Sequence, residues 1–177
     1  MTCIIGYKHN GKAYVGADSL GSNGWTKAQY DTPKLFEVHG MVIGYTTTYR
    51  FGQILQHHLP EMLPKAPPYA FLVESVVPEM RHLLSAHGAK RTDNGIDAGG
   101  NCIIGYKGEV YELQNDFSIL KPTNGIACVG SGVQVAYGAM LALTTKDPRA
   151  KVRRALEVAS EAVTSVGGDL TVMEVPK

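Results

Sequence analysis

Three polar residues stand out against their apolar surroundings: Thr2, Asp18 and Lys34, each sixteen residues from the next. Thr2 opens the apolar run Cys3-Ile4-Ile5-Gly6-Tyr7. An initiator methionine is normally trimmed before a small residue, so the expected mature chain begins at Thr2. Its hydroxyl would then lie beside its own α-amine. A hydroxyl is inert at its ordinary pKa and becomes a nucleophile only when such a base is at hand. An α-amine titrates near ~8, which suits a general base. A lysine nearby would disfavour protonation of that amine and stabilise negative charge growing on the threonine oxygen, and a carboxylate would hold the lysine in place. Taken singly, Asp18 and Lys34 read equally well as a surface ion pair or a turn cap, and Met-Thr as an ordinary strand opening.

The elements that must position them follow from the pattern. Residues 3 to 8, the Asn10-Gly11 pair and residues 13 to 17 form a β-hairpin signal, because Asn-Gly tolerates the positive φ of a tight turn. A hairpin brings its outer ends together, so Asp18 should sit beside Thr2. A Gly/Ser/Asn-rich loop follows from Ser19 to Gly24. Lys34 begins a second hairpin, 34–38 and 41–45 around His39-Gly40, and can reach the same corner. Four strands without a helix between them predict a largely antiparallel first sheet.

Phe51, Ile54, Leu55 and Leu59 then recur at helical spacing, with Thr47 or Thr48 available as a cap. After the Pro-rich 63–68 connection, Leu72, Val76, Met80, Leu83 and Leu84 predict a second helix, kinked or interrupted at Pro78 and ended by Gly88. Residues 89–98 read as a polar loop. Cys102-Ile103-Ile104-Gly105-Tyr106-Lys107 repeats residues 3 to 8 without a change, which predicts two hairpins in equivalent positions of two stacked sheets. A strand ending at Gly130-Ser131-Gly132 leads into a helix over 133–143. Asp147-Pro148 opens a longer helix with the stripe Val152, Leu156, Ala159, Val163 and Val166, stopped by Gly167-Gly168. Residues 170–175 make a last strand. The order predicts one α+β domain over 1–177: a four-layer αββα sandwich of two antiparallel sheets flanked by helices.

The bulk properties exclude other classes. A formal charge of +1 over 177 residues gives no reason to expect nucleic acid or an anionic membrane as partner. No apolar segment approaches the ~20 residues that span a bilayer, and no leader precedes the first strand, so a cytoplasmic protein is expected. Cys3, Cys102 and Cys128 lie in apolar runs and read as reduced core thiols. His57-His58, His82 and His87 lack ligand spacing and a supporting cysteine pair, so no metal is expected, and no cofactor motif is present. The phosphate loop of nucleotide hydrolases is also missing.

Thr2, the Asn10-Gly11 hairpin, Gly16-Ala17-Asp18 and Lys34-Leu35-Phe36, all in register, make the chain resemble the β-type subunits of the proteasome and their bacterial relative HslV, members of the N-terminal nucleophile (Ntn) hydrolases. Ile43-Gly44-Tyr45 resembles the segment whose amide, at Gly44, forms that family's oxyanion hole. Gly130-Ser131-Gly132 resembles the family's Gly-Ser-Gly, whose serine assists the terminal amine. The resemblance implies the αββα fold, an N-terminal threonine endopeptidase acting on polypeptides, and a homo-oligomeric ring around an enclosed chamber. Any ATP-dependent unfoldase would then be a separate protein.

The chain also departs from the pattern. Proteasome subunits carry an Asp and a Ser three residues apart before the final glycine pair, where this chain has Val163 and Val166. Gly167-Gly168-Asp169 follows, as in HslV, and the resemblance gives Asp169 a supporting role. Thr46, Thr47 and Thr48 replace small residues, which predicts a more polar groove. Two alternatives share the fold: a non-catalytic ring scaffold, and an amide hydrolase of small molecules.

Overall fold

Asn10 and Gly11 take φ of 49° and 73°, the left-handed geometry of a two-residue hairpin turn. They fold β1 (Cys3–His9) onto β2 (Lys12–Ala17) with Ile4 opposite Ala17. The computed structural model describes residues 2–64 and 67–177. Next comes a small hairpin of β3 (Leu20–Ser22) and β4 (Lys27–Gln29), where the sequence predicted a loop. Its turn is closed by Asn23 Oδ1, which accepts from the amides of Trp25 and Thr26 at 3.0 and 2.8 Å. Leu-Gly-Ser and Lys-Ala-Gln are too short to carry an alternation from which they could have been read.

The second predicted hairpin is present as β5 (Leu35–Val38) and β6 (Met41–Tyr45), turned at His39-Gly40. α1 (Tyr49–His58) is capped by Thr48, whose Oγ1 accepts the Phe51 amide at 3.1 Å. The Pro-rich connection lies partly outside the described residues. α2 (Pro68–Phe71) runs through a π-helical turn (Leu72–Val76) into α3 (Val77–Ala86). Pro78 has no N–H for the carbonyl one turn earlier, and the wider turn just before it keeps the helix continuous.

β7 (Arg91–Asp93) and β8 (Ile96–Ala98) form a further hairpin at Asn94-Gly95, again in place of the loop read from polarity. β9 (Cys102–Tyr106), β10 (Glu109–Leu113), β11 (Ile119–Leu120) and β12 (Ile126–Gly130) precede α4 (Val133–Ala142). α5 (Pro148–Ala162) starts at Asp147, whose Oδ1 accepts from Arg149 and Ala150. It ends earlier than its apolar stripe suggested, so Val163 and Val166 belong to the turn that leads to β13 (Thr171–Glu174).

The first four predicted strands divide between two sheets. β1 and β2 lie in a four-stranded sheet ordered β12-β1-β2-β13, and β5 and β6 in a five-stranded sheet ordered β11-β10-β9-β6-β5. All pairs are antiparallel. Three apolar layers hold the stack together. Ile4, Val15, Val42, Ile103 and Val129 fill the space between the sheets. α1 and α3 cover the five-stranded sheet through Ile54, Leu55, Met80 and Leu84. α4 and α5 cover the other through Ala136, Met140, Val152 and Leu156. This is the αββα sandwich the element order predicted. Among the described residues no helix is long and apolar enough to cross a membrane.

The hexapeptide repeat has a packing reason. β1 and β9 are both inner strands, and their glycines, Gly6 and Gly105, face the inter-sheet layer. A Cβ on Gly6 would stand 2.7 Å from Ile103 Cγ2, and one on Gly105 would overlap Val175. Gly6→Ala should therefore lower stability by about 1–3 kcal/mol through overpacking, read as a lower denaturation midpoint with an unchanged m-value.

All three cysteines are buried thiols. Burial, aided by Asp18, pushes Cys3 up from 9.0 to about 12, and burial raises Cys102 and Cys128 as well. A folded pKa above the unfolded one gives stability that is present below pH 9.0 and lost as pH rises towards about 12. Native protein should resist thiol alkylation at pH 8, denatured protein should take three labels, and the melting temperature should fall above about pH 9.

Candidate active site

The corner is built where ends of both sheets meet. β1 is flanked by β2 and β12, so its first residues face Asp18 on one side and the Gly130-Ser131 segment on the other. The Asp18 amide donates to Cys3 O at 3.3 Å, and Asp18 Oδ1 accepts the Cys3 amide at 2.9 Å. Asp18 Oδ2 accepts the Gly167 amide at 3.2 Å, which ties in the turn after α5. Lys34, next to β5 of the other sheet, reaches across. Its Nζ lies 3.2 Å from both Asp18 oxygens and donates to Leu20 O at 2.6 Å. The two side chains are 3% and 0% exposed, so this is a buried ion pair whose polar atoms are met by hydrogen bonds. Burial pushes the Lys34 ammonium below the usual lysine range, and Asp18 opposes that shift.

Thr2 is buried at the same corner. Its N–H donates to Ser131 Oγ at 3.2 Å, and its carbonyl accepts from the Gly132 amide at 3.3 Å. Ser131 Oγ has one hydrogen for two acceptors, Thr2 O at 3.3 Å and Ser165 Oγ at 2.9 Å. Gly130 holds φ of 104°, and a side chain there would overlap the Thr2 carbonyl. Only glycine lets β12 come so close to residue 2.

Thr2 and Lys34 open on a cleft of about 360 Å³. Gly21 and Ser22 of β3 form one wall, and Tyr45, Thr46, Thr47, Thr48 and Tyr49 the other. Thr46, Thr47 and Thr48 place three hydroxyl-bearing side chains on its wall. Thr47 holds φ of 77°, strained for a β-branched residue. Its amide donates to no acceptor among the described residues, while the amides of Thr46 and Thr48 donate to Asn101 O and Thr46 O.

Of the residues singled out by sequence, Thr2, Asp18, Lys34 and Ser131 converge. Gly44 does not reach the cleft. It pairs with Leu35 and Ile103 inside the five-stranded sheet. Successive amides of a strand point to opposite sides, and since the Tyr45 amide donates to Lys34 O, the Gly44 amide points away towards β9. Asp169 is exposed, and its amide donates to Ser19 Oγ at 2.8 Å, at the rim of the corner. The expected loss of Met1 concerns a residue outside the described ones. Sequence reasoning missed Ser165, which is buried against Ser131; reading the helix through Val166 hid it, although a serine two residues before the glycine pair was a usable signal. His58 and His87 meet at a tilt with centroids 4.2 Å apart, but among the described residues no group of three or more metal-ligating side chains forms.

No protein-family model matches the chain, and no curated protein does either. Solved structures do. BPH from Thiobacillus denitrificans superposes with a TM-score of 0.84 at 18% identity, over 98% of this chain and 97% of that one. The same protein in complex with epoxomicin gives 0.83 at 17%, over 98% of each chain. Eukaryotic HslV from Trypanosoma brucei gives 0.70 at 17%, over 99% of each. The chain shares the fold of these HslV- and proteasome-type Ntn hydrolases, as the resemblance predicted.

Replacing Asp18 by Asn should cost about 3–5 kcal/mol, because it strands the Lys34 charge in the interior. The sign of its pH dependence follows from Lys34. Its folded pKa is already below 10.5, and without the carboxylate it falls further. Between the folded pKa and 10.5 the unfolded chain binds more protons, so stability rises with pH. The Asp18→Asn deficit should be largest near neutrality and shrink on the approach to pH 10, as measured by denaturant titration across pH.

Proposed function

We propose that this protein is an N-terminal threonine peptidase, a catalytic subunit of a ring-shaped homo-oligomer that cleaves polypeptides. The observation that carries the reading is the convergence of Thr2, Ser131 and the buried Asp18–Lys34 pair at one cleft. The Thr2 nitrogen is a peptide N–H in the chain that includes Met1, and it stands where the α-amine would be after Met1 is removed.

In that processed form the α-amine accepts the proton of Thr2 Oγ as the oxygen attacks a peptide carbonyl. Ser131, backed by Ser165, holds the amine through the bond it now makes to Thr2 N. The Lys34 charge keeps the amine unprotonated and steadies the developing alkoxide, with Asp18 fixing Lys34. The oxyanion donor we assign is the Thr47 amide in place of Gly44's, because it is an N–H on the cleft wall with no acceptor among the described residues and lies in the strained turn beside Thr2. The amine returns its proton to the leaving nitrogen, and water then releases the acyl group.

The fold shared with HslV supports a ring assembly, and the T. denitrificans complex with epoxomicin supplies a probe. Intact mass should show a chain lacking Met1 that gains one epoxomicin adduct, and Thr2→Ala should gain none. Met1 retained with no adduct would instead support the ring scaffold. Lys34→Met should lower kcat/KM by at least about a hundredfold, in line with losing electrostatic stabilisation of the transition state.

A further inference from the structure

Tyr49 carries a hydroxyl that the mechanism does not use. Its Oη is buried and has no hydrogen-bond partner, an arrangement that costs stability unless something else repays it. The residue lines the cleft together with Thr2, and it also lines an adjoining recess of about 390 Å³ behind Gly21 and Ser22. It thus forms the partition between the two spaces. Its ring is held edge-on by Tyr30, with centroids 5.7 Å apart, and its backbone is fixed at the first turn of α1 behind the Thr48 cap.

The chemistry of the walls limits what could satisfy it. Ser22, Thr46, Thr47 and Thr48 add four hydroxyls to the cleft, and Thr26 adds another to the recess. Among the described residues no carboxylate lines either space, so nothing there would pair with a basic side chain. An acidic one would give up its water for walls of neutral hydroxyls. The cation lining the cleft, Lys34, already sits on Asp18. A neutral group that both accepts and donates hydrogen bonds fits hydroxyl walls of this kind.

From the orphaned Tyr49 hydroxyl and the hydroxyl-lined walls around it, we infer that the cleft selects a carboxamide side chain, glutamine or asparagine, on the residue whose carbonyl Thr2 attacks, and that Tyr49 donates the selecting hydrogen bond. This deepens the peptidase reading and rests on it. A site built to bond a polar substrate group rejects analogues that lack the group, because its own polar atoms are then left unpaired.

The test separates the two readings by removing the nucleophile. Calorimetry on Thr2→Ala protein would compare acetyl-Ala-Ala-Gln-amide with acetyl-Ala-Ala-Leu-amide, and repeat both on Thr2→Ala/Tyr49→Phe. The glutamine peptide should bind about tenfold more tightly, and Tyr49→Phe should bring that ratio close to one while the melting temperature stays level or rises, since a buried unpaired hydroxyl has been removed. Equal affinities, a preference for leucine, no binding of either peptide, or a Tyr49→Phe protein that melts lower would overturn the inference. A glutamine preference that depends on Tyr49, together with no epoxomicin adduct on the parent protein, would sustain the carboxamide site beside Tyr49 and overturn the peptidase reading, and with it the placing of that side chain on an attacked residue.

Discussion

The corner of this molecule depends on one buried ion pair. Asp18 and Lys34 come from different sheets, and taking both charges out of water is costly unless geometry and hydrogen bonding are nearly complete. Here they are. The carboxylate receives the amides of Cys3 and Gly167 along with the lysine, and the lysine also donates to Leu20 O. Those bonds reach β1, β3, β5 and the turn after α5. The pair therefore acts as a register pin for four chain segments, and the start of β1 cannot shift without breaking it.

The αββα architecture makes such a corner possible. Two sheets stacked over a purely apolar layer place the ends of β1, β2 and β5 side by side, and the helices on both outer faces keep solvent from the sheets. The layer is thin where Gly6, Gly44 and Gly105 lie; a Cβ on Gly44 would stand 2.6 Å from Ile4 Cγ2. That closeness lets Lys34 span from one sheet to a carboxylate anchored on the other. On the solvent side of the pair, strain and unmet polar groups collect around one short segment: Thr47 with φ of 77°, the Tyr49 hydroxyl, and Asn101 Oδ1 from the neighbouring chain that bonds to Thr46 and Thr47. Strain and orphaned polar atoms persist only where the surrounding structure enforces them, and their clustering beside the cleft fits a wall shaped for a ligand.

Structural likeness and sequence likeness part company here. At 15–18% identity over nearly the whole chain, the same fold is built from largely different residues. Apolar layers can be refilled by different side chains of similar volume. The polar corner has fewer solutions, since each atom in it needs a partner in a fixed place.

What the sequence determined by itself is what local chemistry controls. Asn10-Gly11 specified the first hairpin, and with it the meeting of Thr2 and Asp18; Asp147-Pro148 and Thr48 specified helix starts; the repeated Cys-Ile-Ile-Gly-Tyr-Lys specified two inner strands. Each rests on a turn, a cap or a period that a few neighbouring residues encode. Only the tertiary structure decided how the first four long strands divide between sheets, because pairing partners far apart in sequence leave no local mark. It also decided which amides face the cleft. The glycine chosen by resemblance, Gly44, is turned inward by strand alternation, while Thr47 and Tyr49 gain their places from a loop whose conformation no propensity describes. Ser165 was hidden for a related reason: α5 ends a turn earlier than its apolar stripe, and only the packed turn brings that serine to Ser131.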